Sequence, residues 1–208
     1  MSIEGRYSLY LANAMIADVA PLRGIPLTSL DLQNNDQIRD LTPLKGMPLT
    51  SLNLSSCAQV RDLEPLKGMP LTSLHMPGCK QVHNLEPLKG MPLTSLILSQ
   101  CREIRDLEPL RGMKLTSLHA TGCALIRDLE PLKGMQLKTL LIEGTGVTDL
   151  KPLQGMELED IHLTPKNITQ GLEILRDMKS LKTISVAFNP SLPAAEFWSR
   201  YDKGEFKK

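Results

Sequence analysis

The chain repeats itself every 22 residues. Prolines stand at this interval from Pro21 to Pro131, and a glycine follows each of them three residues later. A string of twelve residues that begins at Leu63 returns letter for letter at Leu85. A period between about 20 and 50 residues is typical of architectures in which similar units stack and share one core. The 208 residues therefore predict an array of small units rather than an irregular globular domain.

The apolar pattern within one unit predicts a short strand followed by a compact return segment. Leu52 and Leu54 alternate with polar residues, as a strand with one buried face requires. Val60 and Leu63 supply further inward positions on the return segment. Leucine accounts for 38 residues and aromatic residues for only 3%, so the shared interior is aliphatic. Because no single unit can enclose these side chains, neighbouring units must stack to bury them.

The return segment is too short for a long helix. Asp62 can cap a helical turn, Pro65 sets φ early in that turn, and Gly68 permits the exit. About six residues allow one or two turns, and 3₁₀ geometry suits such short pieces. We therefore expect an α/β solenoid, an arc with a concave parallel β-sheet and convex 3₁₀ turns. The pattern predicts about nine strands, from Leu9–Leu11 to Ile184–Val186.

The repeated unit carries the leucine-rich repeat signature L-x-x-L-x-L-x-x-(N/C). Its fuller form, D-L-x-P-L-x-G-M-P-L-T-S-L-x-L-x-x-C, resembles bacterial leucine-rich repeats of the short, internalin-like class over about Leu9 to Asn189. The wording L-x-P-L-K-G-M-P-L-T-S-L-x-L-S is most similar to arrays in bacterial proteins that also carry serine/threonine-kinase-like domains. The sequence has no kinase Gly-rich loop, no H-R-D and no D-F-G. The resemblance is specific for the fold and weakly specific for function.

The two ends of the sequence differ from the repeats. Ile3-Glu4-Gly5-Arg6 spells the recognition site of a protease used to remove tags, so residues 1–6 are expected to be a leader. The solenoid is expected over residues 7–189 and a C-terminal helical cap over 190–208. A helix is expected after Ser191, with Gly204 at its end. We favour a capping role over a docking helix for its aromatic residues, which are Phe188, Phe197, Trp198, Tyr201 and Phe206.

Charge and hydropathy exclude several function classes. The chain has 24 Lys and Arg against 23 Asp and Glu, so it lacks the basic excess of a nucleic-acid binder. No apolar run reaches the length of about 18 residues that a membrane span needs. No secretory signal is visible, so we expect a cytoplasmic protein with no membrane partner. The charges that recur with each unit, such as Arg61, Asp62, Glu64 and Lys67, are interpreted as a solvated outer face.

Cysteine and histidine spacing gives no catalytic or metal site. Cys57, Cys79, Cys101 and Cys123 recur once per unit, at the position that Asn35 holds earlier. Such a column spreads over about 14 Å along the stack, whereas zinc binding needs four sulfurs at about 2.3 Å from one ion. We expect reduced thiols in a structural ladder, with no metal and no cofactor. No serine, histidine and aspartate form an evident triad, so the chain is expected not to be an enzyme.

The outward positions of the strands are the remaining candidate site. The first outward position is serine from Ser29 to Ser117 and then threonine or aspartate, whereas the second varies most in an otherwise copied framework. Adaptation to a ligand is one interpretation of this variation, and drift at unconstrained positions is the other. We expect a protein or peptide to bind these variable positions, centred on Ile97 and Leu141. The candidate partner-binding residues are Asp31, Asn53, His75, Ile97, His119, Leu141 and His162.

The sequence therefore predicts a non-enzymatic protein-interaction scaffold. Two alternatives stay open: a structural or regulatory spacer of a larger kinase-like protein, and a carbohydrate-binding module. Carbohydrate binding would favour aromatic residues on the concave face, where Tyr10 stands alone. A designed or consensus-like sequence would also explain the near-identical units. The apolar residues Leu9 and Leu11 at the first unit further predict end-to-end self-association.

Overall fold

A computed structural model describes residues 7–186 and 191–206 of the chain. Its dominant element is one sheet in which successive strands lie side by side in chain order. The nine parallel strands are β1 (Tyr7–Tyr10), β2 (Leu27–Asp31), β3 (Ser51–Asn53), β4 (Ser73–His75), β5 (Ser95–Ile97), β6 (Ser117–His119), β7 (Thr139–Leu141), β8 (Asp160–Leu163) and β9 (Thr183–Val186). The chain is thus a leucine-rich repeat solenoid with a concave parallel sheet. The expected leader over residues 1–6 lies outside the described residues.

In the sheet, residues at equivalent positions of neighbouring units pair with each other. Ser51 pairs with Ser73, and the following leucine pairs with its counterpart in the next unit. Because the register never shifts between β2 and β8, equivalent side chains form straight columns across the strands. The leucine column faces inward and is fully buried, and the inward residues of the return segments join it in one continuous core.

The convex side consists of short 3₁₀ turns, and all but the last of them, Pro165–Asn167, are opened by an acidic or amide side chain. In one unit, the carboxylate Oδ1 of Asp62 accepts the backbone N–H of Glu64 at 2.8 Å. Pro65 follows inside the turn, where its fixed φ suits helical backbone. The eight turns among the described residues are Ala20–Leu22, Thr42–Leu44, Glu64–Leu66, Glu86–Leu88, Glu108–Leu110, Glu130–Leu132, Lys151–Leu153 and Pro165–Asn167.

The last return segment departs from the 3₁₀ expectation. Beyond the 3₁₀ turn Pro165–Asn167 it forms an α-helix, α1 (Leu172–Asp177), whose sequence lacks the proline of the other turns. Without proline, the backbone N–H groups stay available and the helix can continue for a second turn. The second α-helix of the described residues is α2 (Ala194–Asp202). No helix in residues 7–186 and 191–206 is long and apolar enough to cross a membrane.

The C-terminal cap adds a strand that the sequence did not predict. β10 (Leu192–Pro193) pairs antiparallel with β9, so the sheet has ten strands rather than nine. Pro193 ends this strand and leads directly into α2. Phe197 of α2 is completely buried and stacks on Phe206, with ring centroids 5.2 Å apart. Helix α2 thereby covers the last turn of the core, as expected, while Phe188 lies outside the described residues.

The cysteines form the expected ladder at the end of the strands. Each thiol donates a hydrogen bond to a backbone carbonyl of the preceding unit, at 3.1–3.2 Å. Asn35 holds the same position in the second unit, where its Nδ2 donates to the Leu11 carbonyl at 2.8 Å. Burial raises the pKa of Cys57 to about 11 and that of Cys101 to about 12, so these thiols stay protonated at neutral pH. The column therefore links units rather than reacting.

Two glycines of equal backbone geometry allow a test of the packing. Gly134 and Gly171 both have left-handed φ, +74° and +79°. A Cβ on Gly134 would meet no atom within 4 Å, whereas a Cβ on Gly171 would lie 2.7 Å from the backbone N of Lys151. We expect Gly134→Ala to cost about 1–2 kcal/mol through backbone strain alone. Gly171→Ala should cost clearly more, because the backbone of the neighbouring unit must move.

Urea unfolding of both variants, followed by circular dichroism, measures this difference in the free energy of unfolding. Equal losses in the two variants would show that the Gly171 contact does not constrain the last return segment.

Candidate functional site

The seven residues predicted to bind a partner lie in one unbroken row across the sheet. Each occupies the second outward position of its strand and pairs with the next in register. All seven side chains are half-buried between the neighbouring strands. We call them the variable row: Asp31, Asn53, His75, Ile97, His119, Leu141 and His162. With strands about 4.8 Å apart, the row is about 29 Å long.

The N-terminal end of the variable row is held by its own turns. The carboxylate Oδ1 of Asp31 accepts the backbone N–H of Gln33 at 2.9 Å. In the next unit, Oδ1 of Asn53 accepts the backbone N–H of Ser55 at 3.0 Å, and its Nδ2 donates to the Gln33 side chain at 3.3 Å. These bonds fix both side chains before any ligand arrives.

The rest of the row forms a mixed surface of imidazole and aliphatic side chains. We call it the histidine–aliphatic patch, and it comprises His75, Ile97, His119, Leu141 and His162 on the five consecutive strands β4 to β8. Ile97 and Leu141 are separated by two strand spacings, or about 10 Å, with His119 between them. They present apolar surface on a sheet face whose other outward positions are mostly serine and threonine.

A hydroxyl or carboxylate on the same strand orients each histidine of the patch. Ser73 Oγ lies 3.2 Å from Nε2 of His75, and Ser117 Oγ lies 3.2 Å from Nε2 of His119. Asp160 takes the same role on β8, where its Oδ2 lies 3.5 Å from Nε2 of His162. The sequence analysis assigned no role to the first outward position of the strands, so it missed this orientation of the histidines. The signal was present as a histidine two residues after a polar residue on three strands, since i and i+2 share a face.

The surroundings of His119 disfavour its protonation. Burial lowers its pKa, and the nearby imidazoles of His162 and His75 lower it further. The carboxylate of Asp160 acts in the opposite direction and only partly offsets these effects. Because the ordinary histidine pKa is about 6.5, His119 is neutral at pH 7. The centre of the patch is therefore uncharged under neutral conditions.

The fixed charges of the concave face are all negative. Between residues 7 and 186, the three outward columns contain no lysine and no arginine. They do contain the carboxylates of Asp31 in β2, Asp160 in β8 and Glu143 just after β7. Asp160 also accepts a hydrogen bond from the Thr183 hydroxyl, which holds its carboxylate on the sheet. The face thus carries carboxylates near both of its ends and apolar side chains in the middle.

The histidines are too far apart to share a metal ion. His75, His119 and His162 stand on alternate strands, about 10 Å apart, whereas a zinc–nitrogen bond is about 2.0 Å long. Within the described ranges, no three histidine, cysteine, aspartate or glutamate residues are grouped so that they could hold a metal. The geometry of the face suits contact with a surface rather than coordination chemistry.

Comparison with known proteins supports the fold. No protein-family profile and no curated protein matches the sequence. Among solved structures, an internalin (inlF) from Listeria monocytogenes is similar with a TM-score of 0.66 and 24% identity, over 86% of this chain. An internalin C2 (inlC2) from the same organism is similar with a TM-score of 0.60 and 26% identity, over 72% of this chain. Internalins are leucine-rich repeat proteins.

The chain spans only part of each similar structure, 62% of the inlF chain and 67% of the inlC2 chain. The likeness therefore concerns the repeat array and its architecture. Neither the short-unit class nor the association with kinase-like proteins has support beyond the sequence resemblance.

The environment of His119 gives a prediction for its titration. We expect its protonation midpoint below about 6.5, because burial and two neighbouring imidazoles disfavour the charged form. Because the pKa of His119 is lower in the folded chain than in the unfolded one, its contribution to stability is complete above about pH 6.5. That contribution is lost as the pH falls through the folded pKa. NMR titration of the imidazole Cε1–H resonance measures the midpoint.

The substitution His162→Gln removes one of the neighbouring imidazoles and should raise the His119 midpoint. His83→Gln, in a return segment on another face, serves as the matched control and should leave it unchanged. A His119 midpoint above about 6.5 would contradict the lowering of its pKa by burial.

Proposed function

We propose that the chain is a non-enzymatic scaffold that binds a protein or peptide through the variable row of its concave sheet. One observation carries this proposal: seven half-buried side chains of five residue types form a continuous row on a framework that is otherwise nearly identical from unit to unit. An unconstrained position would also vary, but hydrogen bonds with backbone N–H groups or serine hydroxyls of the same units hold most of this row in place.

Rigid presentation supports the binding role. The side chains of the row stand on strands whose backbone is fixed by both neighbours, so binding orders few additional groups. Polar groups at the N-terminal end accept bonds from their own turns, and the histidines of the patch are held by Ser73, Ser117 and Asp160. Pre-organisation of this kind lowers the entropic cost of association.

The histidine–aliphatic patch is the proposed centre of the interface. Interface energy is concentrated in a few desolvated residues near the middle of the contact. Ile97 and Leu141 are the apolar side chains of the variable row, and they are the fourth and the sixth of its seven residues. The row offers no tryptophan or arginine, so we propose an affinity built on shape and apolar contact rather than on a single strong anchor.

The proposal extends to the setting of the chain. We propose a cytoplasmic location because all four cysteines are unpaired and buried, which suits a reducing compartment. Membership of a larger kinase-like protein also stays a proposal, resting on the wording of the repeat. A spacer without a ligand and a carbohydrate-binding module are the alternatives. The exposed Tyr10, just before the row, offers a single aromatic platform for a sugar.

A comparative pull-down tests the binding role. The wild-type chain and a variant with Ile97→Asp, His119→Ala and Leu141→Asp serve as baits in lysate from the source organism, with recovery read by mass spectrometry. The three substitutions place charge on the patch and remove its central imidazole, so we expect a specific partner to be lost.

A convex variant with Glu64→Ala, Lys67→Ala and Glu86→Ala is the matched control. It removes an exposed ion pair of 3.2 Å and half of another, far from the concave sheet. This control should retain the partner. Equal recovery by the wild type and the patch variant would move the site off the concave face, and no specific recovery by any bait would favour the spacer.

The free edge of β1 supports a second proposal, end-to-end association of two copies. Among the described residues, β1 pairs on one side only, with β2. Tyr7 is 46% exposed and Tyr10 is 73% exposed, while Leu9 is only partly covered by the core. A sheet edge with unpaired backbone groups and apolar side chains is a template for pairing with another strand.

Light scattering coupled to gel filtration, over a range of protein concentrations, tests this association. We expect Tyr10→Lys to shift the chain towards the monomer, because lysine on an edge strand opposes pairing. Tyr10→Ser is the control for aromatic loss alone, since Ser185 occupies the corresponding position in β9. A monomer at all concentrations, for wild type and variants alike, would contradict the proposal.

A further inference from the structure

The spacing of the two aliphatic side chains on the concave face restricts how a polypeptide can lie there. Ile97 and Leu141 stand two strands apart, about 10 Å along the row. Residues seven apart on an α-helix are separated by about 10.5 Å and lie on nearly the same side of it. One face of a helix can therefore contact both side chains at once.

An extended peptide does not match this spacing. It rises about 3.3 Å per residue, so three residues cover the distance between Ile97 and Leu141. Residues three apart in a strand point to opposite faces, and only one of the two aliphatic side chains would then be contacted. The row length of about 29 Å also matches a helix of about 20 residues, which spans about 30 Å.

Charge complementarity indicates the chemistry of that helix. The outward columns carry only negative fixed charges, those of Asp31, Glu143 and Asp160. Asp160 is one strand beyond Leu141, and Asp31 is three strands before Ile97. A helix over the aliphatic pair would therefore place residues of its two ends near carboxylates. Acidic side chains there would be repelled, whereas lysine or arginine would be attracted.

The histidine between the aliphatic pair fits the same arrangement. His119 is uncharged at pH 7 because burial and the imidazoles of His75 and His162 disfavour its protonation. The charged and titratable groups that face it are those imidazoles on β4 and β8, Asp160 on β8 and Glu143 after β7, while β5 and the strand residues of β7 supply none. A small uncharged residue of the helix can lie over it without opposing a charge.

We infer that the concave face binds a cationic amphipathic α-helix, which lies across the strands with apolar residues seven apart on Ile97 and Leu141 and basic residues towards the carboxylates. The inference rests on the proposed concave-face binding and adds the conformation and charge of the partner. In either chain direction, the basic residues of the helix lie about three to four residues from one apolar anchor and about nine to ten from the other.

Selection from a displayed library of random peptides about 20 residues long tests this inference, because a helix of that length spans the row. The wild-type chain is the bait, and the double variant Ile97→Asn and Leu141→Asn is the counter-selection bait. Asparagine is chosen because Asn53 holds the same position in β3, so the repeat accommodates it. Peptides that bind the wild type and not the double variant define the ligands of the face.

We expect these peptides to carry apolar residues seven apart, an excess of lysine and arginine, and few acidic residues. Synthetic copies should gain helical circular dichroism on binding, and binding to the double variant should be weaker by about tenfold or more. The charge-neutralising variant Asp31→Asn with Glu143→Gln should weaken binding, and more so at low salt.

The outcomes separate the inference from the function on which it rests. Wild-type-specific peptides that are acidic, or that bind without becoming helical, overturn the inference and leave concave-face binding in place. Peptides that bind the wild type and the double variant equally, or no bound peptide at all, overturn concave-face binding itself.

Discussion

A single 22-residue unit cannot bury its own leucines, and the whole structure depends on solving that problem by stacking. Each unit offers a three- to five-residue strand whose backbone is completed only by the strands before and after it. The same contact that closes the core thus completes the sheet. Straight columns of side chains follow directly, because any slip in register would turn buried leucines outward.

The buried columns hold the framework together, whereas the outward columns form the exposed surface of the sheet. The leucine and cysteine columns are copied from unit to unit because each side chain must fit its neighbours above and below. The second outward column has a neighbour on each side but open space above it. It can therefore change from Asn53 to His75 to Ile97 without disturbing the core.

The repeat period made most of the architecture predictable from the sequence. The elements that depart from the repeat could not be predicted in this way. Strand positions, convex turns and the cysteine column all follow from residues that recur at one spacing. Helix α1 arose where the proline of the turn is missing, and β10 arose where the chain leaves the repeat pattern altogether. Both depend on contacts within a single irregular segment, for which a period supplies no template.

The candidate row could also be predicted from the sequence, because side chains two residues apart share a face. The orientation of His119 by Ser117 also had a signal in the sequence, because both residues lie on one strand. The disfavoured protonation of His119 could not be predicted, since it depends on burial and on imidazoles from two other strands. The role of Asp160 is similar, because its carboxylate serves both His162 and Thr183.

The cysteine ladder has a further consequence for how such an array can evolve. Each rung of the ladder is one hydrogen bond from a cysteine thiol to a backbone carbonyl of the preceding unit, and it does not depend on how many units follow. Duplication or deletion of one whole unit in the gene would therefore leave all other rungs intact. It would lengthen or shorten the exposed row by one strand spacing, about 4.8 Å. The length of the variable row is therefore set by the number of units in the gene, and it can change in steps of one strand spacing without any change to the core.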